Sequence, residues 1–242
     1  MATEKRWQIA QEYERNHWKG VADAIGQSRD DLSWYAWRAD RLRKLFLAPV
    51  DYVDTDDTST LEIGSGPVGV VSFLKGRRRC AIDPLSDFYS GHPSLVAPRD
   101  PAVEYVNGGG ESLPFEDGSF NLVIIENVID HTRAPGAVLN EIHRVLKPAG
   151  LLFLSVNVHT LLGLSVRRAM EWFTLDRGHP HNFTDRSIRE RIEQHGFRVK
   201  HDKLEDRQSA KSKERQAGRL RNRLKLTLGI YDILYEVLAI RP

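Results

Sequence analysis

Three glycines and one aspartate are the residues whose types and spacing point most directly to chemistry. Gly64, Gly66 and Gly69 in LEIGSGPVG (61–69) match G-x-G-x-x-G directly after a short apolar run. Gly64 lets the chain turn without a Cβ clash, and Gly66 lets backbone approach a ligand closely. The following VVSFL reads as the start of a helix whose exposed N–H groups would face that ligand. Such turns also occur as plain strand-to-helix corners, so the loop alone leaves a nucleotide-like ligand and no ligand equally open. Asp83 ends the run CAI, 19 residues after Gly64. A carboxylate there can accept hydrogen bonds from the 2′- and 3′-hydroxyls of a ribose. The bland alternative is an aspartate that opens the turn at Pro84. Together these features fit an adenosine-containing molecule and do not separate NAD from S-adenosylmethionine.

Histidine is the natural proton acceptor near neutral pH. His131 and His159 follow apolar strand-like runs, and His179 and His181 lie in GHPHNFTD (178–185), a loop placed to close over a second substrate. Thr184 or Asp185 would cap the helix after it. The H-x-H pair has no carboxylate or cysteine at metal-site spacing, so no metal is expected. Any one histidine, taken alone, is more often a structural or solvated residue. His131 ranks first as a base and His181 second.

The elements that must position these groups read as α/β. Short strands are expected at 58–63, 80–82, 103–106, 121–126 and 151–156. The helix APGAVLNEIHRVL (134–146) puts Val138, Leu139, Ile142, Val145 and Leu146 on one face, and KPAG stops it. Helices between strands imply parallel pairing, with ligands beyond the carboxyl ends of the strands. GFRVKHDKL (196–204) and YEVLAIRP (235–242) read as the last two strands, an antiparallel hairpin. Residues 51–60 (DYVDTDDTST) are an acidic connector with no visible capping role.

The chain has 242 residues, enough for one domain with a small cap. Lys plus Arg number 35 and Asp plus Glu 33, which excludes a chain that is basic along its whole length. A single cysteine, Cys80, excludes an internal disulfide framework and fits a reducing, cytoplasmic setting. No apolar run approaches a membrane span, and the charged start MATEKRWQIAQEYERNHWKG is no secretory signal.

The series LPFEDGSFNLV, NVIDH and LKPAG within 111–156, in this order behind LEIGSG and AIDP, resembles the class I S-adenosylmethionine-dependent methyltransferases of the type 11 kind. The resemblance covers roughly residues 58–156. It implies a Rossmann-like doubly wound, mostly parallel seven-stranded sheet with an antiparallel C-terminal hairpin and an N-terminal helical lid. It also implies roles. Glu62 orders the loop near the methionine amino group, and Gly64, Ser65 and Gly66 line the methionine and ribose. Asp83 holds the ribose, and Pro84 and Leu85 flank the adenine. Glu111 and Ser112 sit at the adenine edge, Asn127 lies under the sulfonium, and His131 stands close to the transferred methyl. One departure is Gly109, where the family has an adenine-binding Asp in Gly-Asp-Ala; Glu111 is the candidate replacement.

On this reading residues 1–50 form the lid and 51–242 the methyltransferase domain, with a substrate-covering segment at 157–184 and a basic helical insertion at 205–232. The lid holds Trp7, Trp18, Trp34 and Trp37, with Tyr13 as the candidate gate and Trp18, His159 and His179 as further acceptor contacts. The tryptophans could equally just attach a helix to the core. Between Arg207 and Lys225, eight basic residues face one acidic residue, Glu214. Either they bind an anionic partner such as RNA, or they form a solvated face while Leu220, Leu224, Leu228 and Tyr231 pack inward. The leading function is methyl transfer to an O or N nucleophile of a small molecule. The alternatives are an RNA- or phosphate-directed methyltransferase, a non-catalytic binding protein and, on the glycine loop alone, a nicotinamide enzyme.

Overall fold

The computed structural model describes residues 4–26, 32–161, 163–165, 180–216, 226 and 231–242. Its strands are β1 (Ser59–Ile63), β2 (Arg78–Asp83), β3 (Val103–Asn107), β4 (Phe120–Glu126), β5 (Leu146–Val158), β6 (Arg198–Leu204) and β7 (Ile233–Ile240). They form one seven-stranded sheet in the order β3-β2-β1-β4-β5-β7-β6. The first five pair in parallel, and β7 runs antiparallel to both β5 and β6. This is the Rossmann-like, mostly parallel sheet with a C-terminal hairpin that the sequence implied.

The continuous apolar runs are explained by burial on both faces. In β4, Val123 and Ile125 face one core together with α5 (Pro135–Val145) and α6 (Asp185–Gln194). Leu122 and Ile124 face the other, together with α1 (Glu4–Gly26) and α2 (Trp34–Leu42). All five apolar positions read for the helix at 134–146 are fully buried. Thr184 caps α6 by accepting the N–H of Ser187, whose hydroxyl accepts the N–H of Thr184 in return. Two short helices, α3 (Ser86–Ser90) and α4 (Pro93–Val96), follow β2, and α7 (Arg207–Gln216) follows β6. No helix among the described residues is long and apolar enough to cross a membrane.

Three local expectations are corrected. The segment VVSFL does not start an α-helix; only a 3-10 turn forms, at Val70–Phe73. Gly69 enters it at φ 83° and Leu74 leaves it extended, so the chain has no room to propagate a helix before β2. KPAG does not simply end a helix: Leu146 already pairs with Phe120, and the register jumps to Leu151 opposite Leu122. Ala149, at φ 60°, carries that irregularity and donates its N–H to the Arg241 carbonyl. The connector does have a bonding role. Buried Asp54 accepts from Arg43 at 2.9 and 2.8 Å and from the Lys75 N–H at 2.7 Å, tying the N-terminal helices to the sheet.

Candidate functional site

β1, β2 and β4 end level with one another, because Ile63 pairs with both Ile82 and Ile125. The chain must turn sharply after β1, and Gly64 (φ 69°) and Gly66 (φ 63°) take left-handed conformations to do so. A Cβ at Gly64 would fall 2.2 Å from Val128, and one at Gly66 would fall 2.5 Å from the Tyr35 hydroxyl. The turn is therefore closed from outside by aromatic side chains. Tyr35 donates to the Ser65 carbonyl at 3.2 Å, and Trp18 packs edge-on against Tyr89.

Two buried carboxylates organise the loop. Asp83 Oδ2 accepts the Gly66 N–H at 2.9 Å, Oδ1 accepts the Leu85 N–H at 2.8 Å, and the Tyr89 hydroxyl bonds the same group. Burial pushes its pKa up to about 6, against the pull of those backbone donors. Glu62 lies beneath the turn and accepts the Val71 N–H at 2.8 Å. Burial pushes it up to about 7, relieved in part by the Val71 donor and by Arg38.

A cavity of about 190 Å³ opens at these strand tips. Its floor is Gly64, Ser65, Gly66, Asp83, Pro84 and Leu85. One end is closed by Asn127, Val128 and His131, which follow β4, with Asn127 held at φ 54° by the bond from its N–H to the Ser155 carbonyl. The roof comes from Glu14 and Trp18 of α1 and from Trp34, Tyr35 and Arg38 of α2. Arg38 stacks over Trp34 at 5.1 Å and forms an ion pair with Glu126, the last residue of β4. The space is below the roughly 300–1,000 Å³ usual for ligand pockets, since Trp18 and Tyr35 stand over Gly66.

The structure thus brings Gly64, Ser65, Gly66, Asp83, Pro84, Leu85, Asn127, His131 and Trp18 to one wall, with Glu62 behind it. His131 Nε2 lies 3.9 Å from the buried carboxylate of Asp130. Other candidates stand elsewhere. Tyr13 is 55% exposed and off the wall, because one helical step from Glu14 turns it outward. Glu111 accepts the Arg133 N–H at 2.7 Å, and its carboxylate fills the space that a side chain at Gly109 would need. Ser112 is exposed, and neither it nor Glu111 lines the cavity.

The remaining histidines are also displaced from the wall. His181 lies in a separate cleft with Arg133 and Arg191 and donates its N–H to the Asp130 carbonyl, and burial lowers its pKa. His159 is buried, 3.6 Å from Asp232, in a cleft by Thr184 and Leu204. His179 and the amphipathic stretch beyond 165 lie outside the described residues, as do Leu220, Leu224 and Leu228; Tyr231 is buried as read. Among the described residues no three His, Cys, Asp or Glu side chains are grouped to share a metal ion.

Sequence reasoning missed Glu14, Tyr35, Arg38, Tyr89 and Glu126, and named Trp34 only as one of the lid tryptophans. The available signals were faint: WYAWR puts Trp34, Tyr35 and Arg38 within one turn, and Glu126 is a charge closing an apolar strand.

The strand order, with a glycine turn facing an acid at the next strand tip, is a Rossmann-like fold that solved methyltransferases share. Residues 61–154 match the family model described as "Methyltransferase domain". An uncharacterised methyltransferase of Mycobacteroides abscessus is 30% identical over 139 residues, 50% of this chain and 52% of its own. The chain therefore spans about half the length of the curated relatives it matches. Among solved structures, a SAM-dependent methyltransferase of Thermotoga maritima is similar in fold at TM-score 0.56 and 15% identity, over 98% of this chain and 100% of that one. A phosphoethanolamine N-methyltransferase of Haemonchus contortus, solved with S-adenosylhomocysteine, matches at TM-score 0.56 and 17% identity, over 78% of this chain and 49% of that one.

Proposed function

We propose that this protein transfers a methyl group from S-adenosylmethionine to an O or N nucleophile of a small molecule. The observation that carries the reading is the Asp83–Gly66 bond at the tips of β1 and β2, on the wall of a cavity that also presents Asn127 and His131. An ionised carboxylate has about four acceptor positions. The Gly66 and Leu85 N–H groups and the Tyr89 hydroxyl take three of them, which leaves one for a ribose hydroxyl.

Asp83 then holds the ribose, and Pro84 and Leu85 flank the adenine. Gly64, Ser65 and Gly66 line the thioether arm, Glu62 keeps the loop in shape, and Asn127 supports the amino-acid end. When bound, the sulfonium supplies an already activated methyl. What remains for the protein is alignment and exclusion of water. Trp18, Trp34 and Tyr35 supply the exclusion, so residues 1–50 act as a lid, and Trp18 moves aside to admit the nucleoside. His131 accepts the proton of an acceptor that arrives protonated. His181, one loop further out, is second in line, and His159 and His179 belong to the covering segment 157–184.

A small acceptor is favoured because helices roof the cavity and aromatic rings line it. In α7 the basic side chains Arg207, Lys211, Lys213 and Arg215 are exposed. There Lys213 pairs with Glu205 and Lys211 lies over Tyr231, so those cations are already engaged within the chain.

The test is thermal shift and calorimetry with S-adenosylmethionine, S-adenosylhomocysteine and NAD. A ligand that binds only the folded form raises the melting temperature by mass action. Stabilisation by the first two and not by NAD supports the reading; stabilisation by NAD alone, or by none, overturns it. Steeply salt-dependent retention of RNA would transfer the acceptor assignment to nucleic acid.

A further inference from the structure

The cavity wall carries one unusual feature that the cofactor reading has not used. Arg38 and Glu126 form an ion pair there, with side chains only 21% and 9% exposed. Among the described residues Arg38 is the one arginine or lysine on the wall, against Glu14, Asp83 and Glu126. The pair joins α2 to the tip of β4, beside Asn127. Buried ion pairs are poor stabilising devices, because desolvation offsets most of their attraction. A pair that faces a cavity is therefore more readily explained by what enters the cavity.

We propose that Arg38 and Glu126 are an exchange pair for the zwitterionic amino-acid end of the cofactor; this rests on the reading given above. A zwitterion presents a carboxylate and an ammonium a fixed short distance apart. Inserted between the two side chains, it gives the guanidinium a new carboxylate and Glu126 a new ammonium. One ion pair becomes two, and no charge is left alone in the low-dielectric wall. A planar guanidinium suits the first contact, since it can meet both oxygens of a carboxylate at once. Stacking on Trp34 limits the ring of positions that the guanidinium can sample. Arg38 is thus a positioning residue that selects for the amino-acid arm, while Asp83 selects for the sugar.

The experiment is calorimetric titration with S-adenosylhomocysteine and with 5′-methylthioadenosine, which keeps the adenosine and thioether but lacks the amino acid. The variants are Arg38→Met and the double variant Arg38→Met with Glu126→Gln. Arg38→Met should weaken S-adenosylhomocysteine roughly 10- to 100-fold, the loss expected for hydrogen bonds to a charged group, and leave 5′-methylthioadenosine unchanged. Retained binding of 5′-methylthioadenosine reports that the variant is folded. If Arg38→Met alone does not fold, with Glu126 left unpaired, the double variant carries the same test. Equal weakening of both ligands, or of neither, overturns the exchange pair and leaves the cofactor reading standing. Wild-type protein that binds neither ligand removes both.

Discussion

Asp83 Oδ2 accepts the N–H of Gly66 at 2.9 Å, so the acid that closes β2 fixes the turn that closes β1. Its other oxygen takes the Leu85 N–H, which fixes the next loop as well. One carboxylate therefore shapes the floor of the cavity and offers its remaining acceptor capacity to a ligand. Asp83→Asn keeps the shape but turns one oxygen into a donor that faces an N–H. Stability should fall by about 1–3 kcal/mol in denaturant titration. S-adenosylhomocysteine and 5′-methylthioadenosine should weaken together, since both carry the ribose, unlike the split expected for Arg38. Unchanged affinity for both would refute the ribose assignment.

The two buried acids predict a pH dependence. Glu62 is pushed up to about 7 and Asp83 to about 6, in each case first by burial. Between the ordinary carboxylate range and those values, the folded chain binds more protons than the unfolded one. By linkage, their contribution to stability is present on the acid side and is lost as pH rises through that window. Glu62→Gln keeps an acceptor for the Val71 N–H and removes the titration. Its melting temperature should therefore decline less than that of the wild type between about pH 4.5 and about pH 7. Identical slopes for the two proteins would show that Glu62 is ionised throughout.

Much of this site was legible in the sequence, for local reasons. Glycines at fixed spacing and an acid at a strand end are backbone requirements, and backbone requirements leave marks in sequence. The central strands β1, β4, β5 and β7 and the buried face of α5 were legible because burial on both faces forces continuous apolar runs, and one-sided burial forces helical spacing; the edge strands β3 and β6, largely unburied, were placed by their order in the chain. The roof was not legible. Tyr35, Arg38 and Tyr89 reach the cavity through tertiary packing, and no spacing announces that a tyrosine at 35 will cover a glycine at 66. Tyr13 was misplaced by one helical step from Glu14, too fine a difference for a stripe of mixed aromatic and charged residues. The 3-10 turn after Gly69 replaced an expected helix because Leu74 already runs extended toward β2, a constraint the apolar pattern does not show.

The requirement for glycine in the turn can be measured directly. A Cβ at Gly64 meets Val128 at 2.2 Å and is held at φ 69°. Gly64→Ala should cost about 1–3 kcal/mol from the backbone conformation alone, with the clash added. Val128→Ala in the same chain removes the two methyl contacts at 2.2 and 2.7 Å, leaves its own Cβ at 2.9 Å and does not change the backbone conformation. The double variant should therefore be more stable than the sum of the single changes implies, a coupling that a double-mutant cycle reads. Additive effects would show that the turn relaxes away from Val128.

Trp18 stands over Gly66, where a Cβ would come within 3.2 Å of its ring, and bonds Glu14 through its indole N–H. Trp18→Ala should lower stability by about 3–5 kcal/mol, the usual cost of removing a buried aromatic. It should also speed association of S-adenosylhomocysteine in stopped flow, because the side chain no longer has to move aside. An unchanged association rate would show that entry follows another route, and the lid assignment for α1 would fail.

His131 lies at the end of the cavity beyond β4, with the Asp130 carboxylate 3.9 Å from Nε2. Position alone does not make it a base, and the acceptor's chemistry supplies the test. A hydroxyl acceptor must lose its proton during transfer, whereas an amine that arrives neutral need not. Replacing His131 with Ala should lower kcat by about 10²–10⁴ for a protonated acceptor. The same variant should bind S-adenosylhomocysteine within a few-fold of the wild type, as the ring is assigned no cofactor contact. With an acceptor supplied deprotonated, the two proteins should turn over at similar rates. If kcat holds for every acceptor tried, proton removal belongs to solvent or to another group, and His131 is a wall residue only.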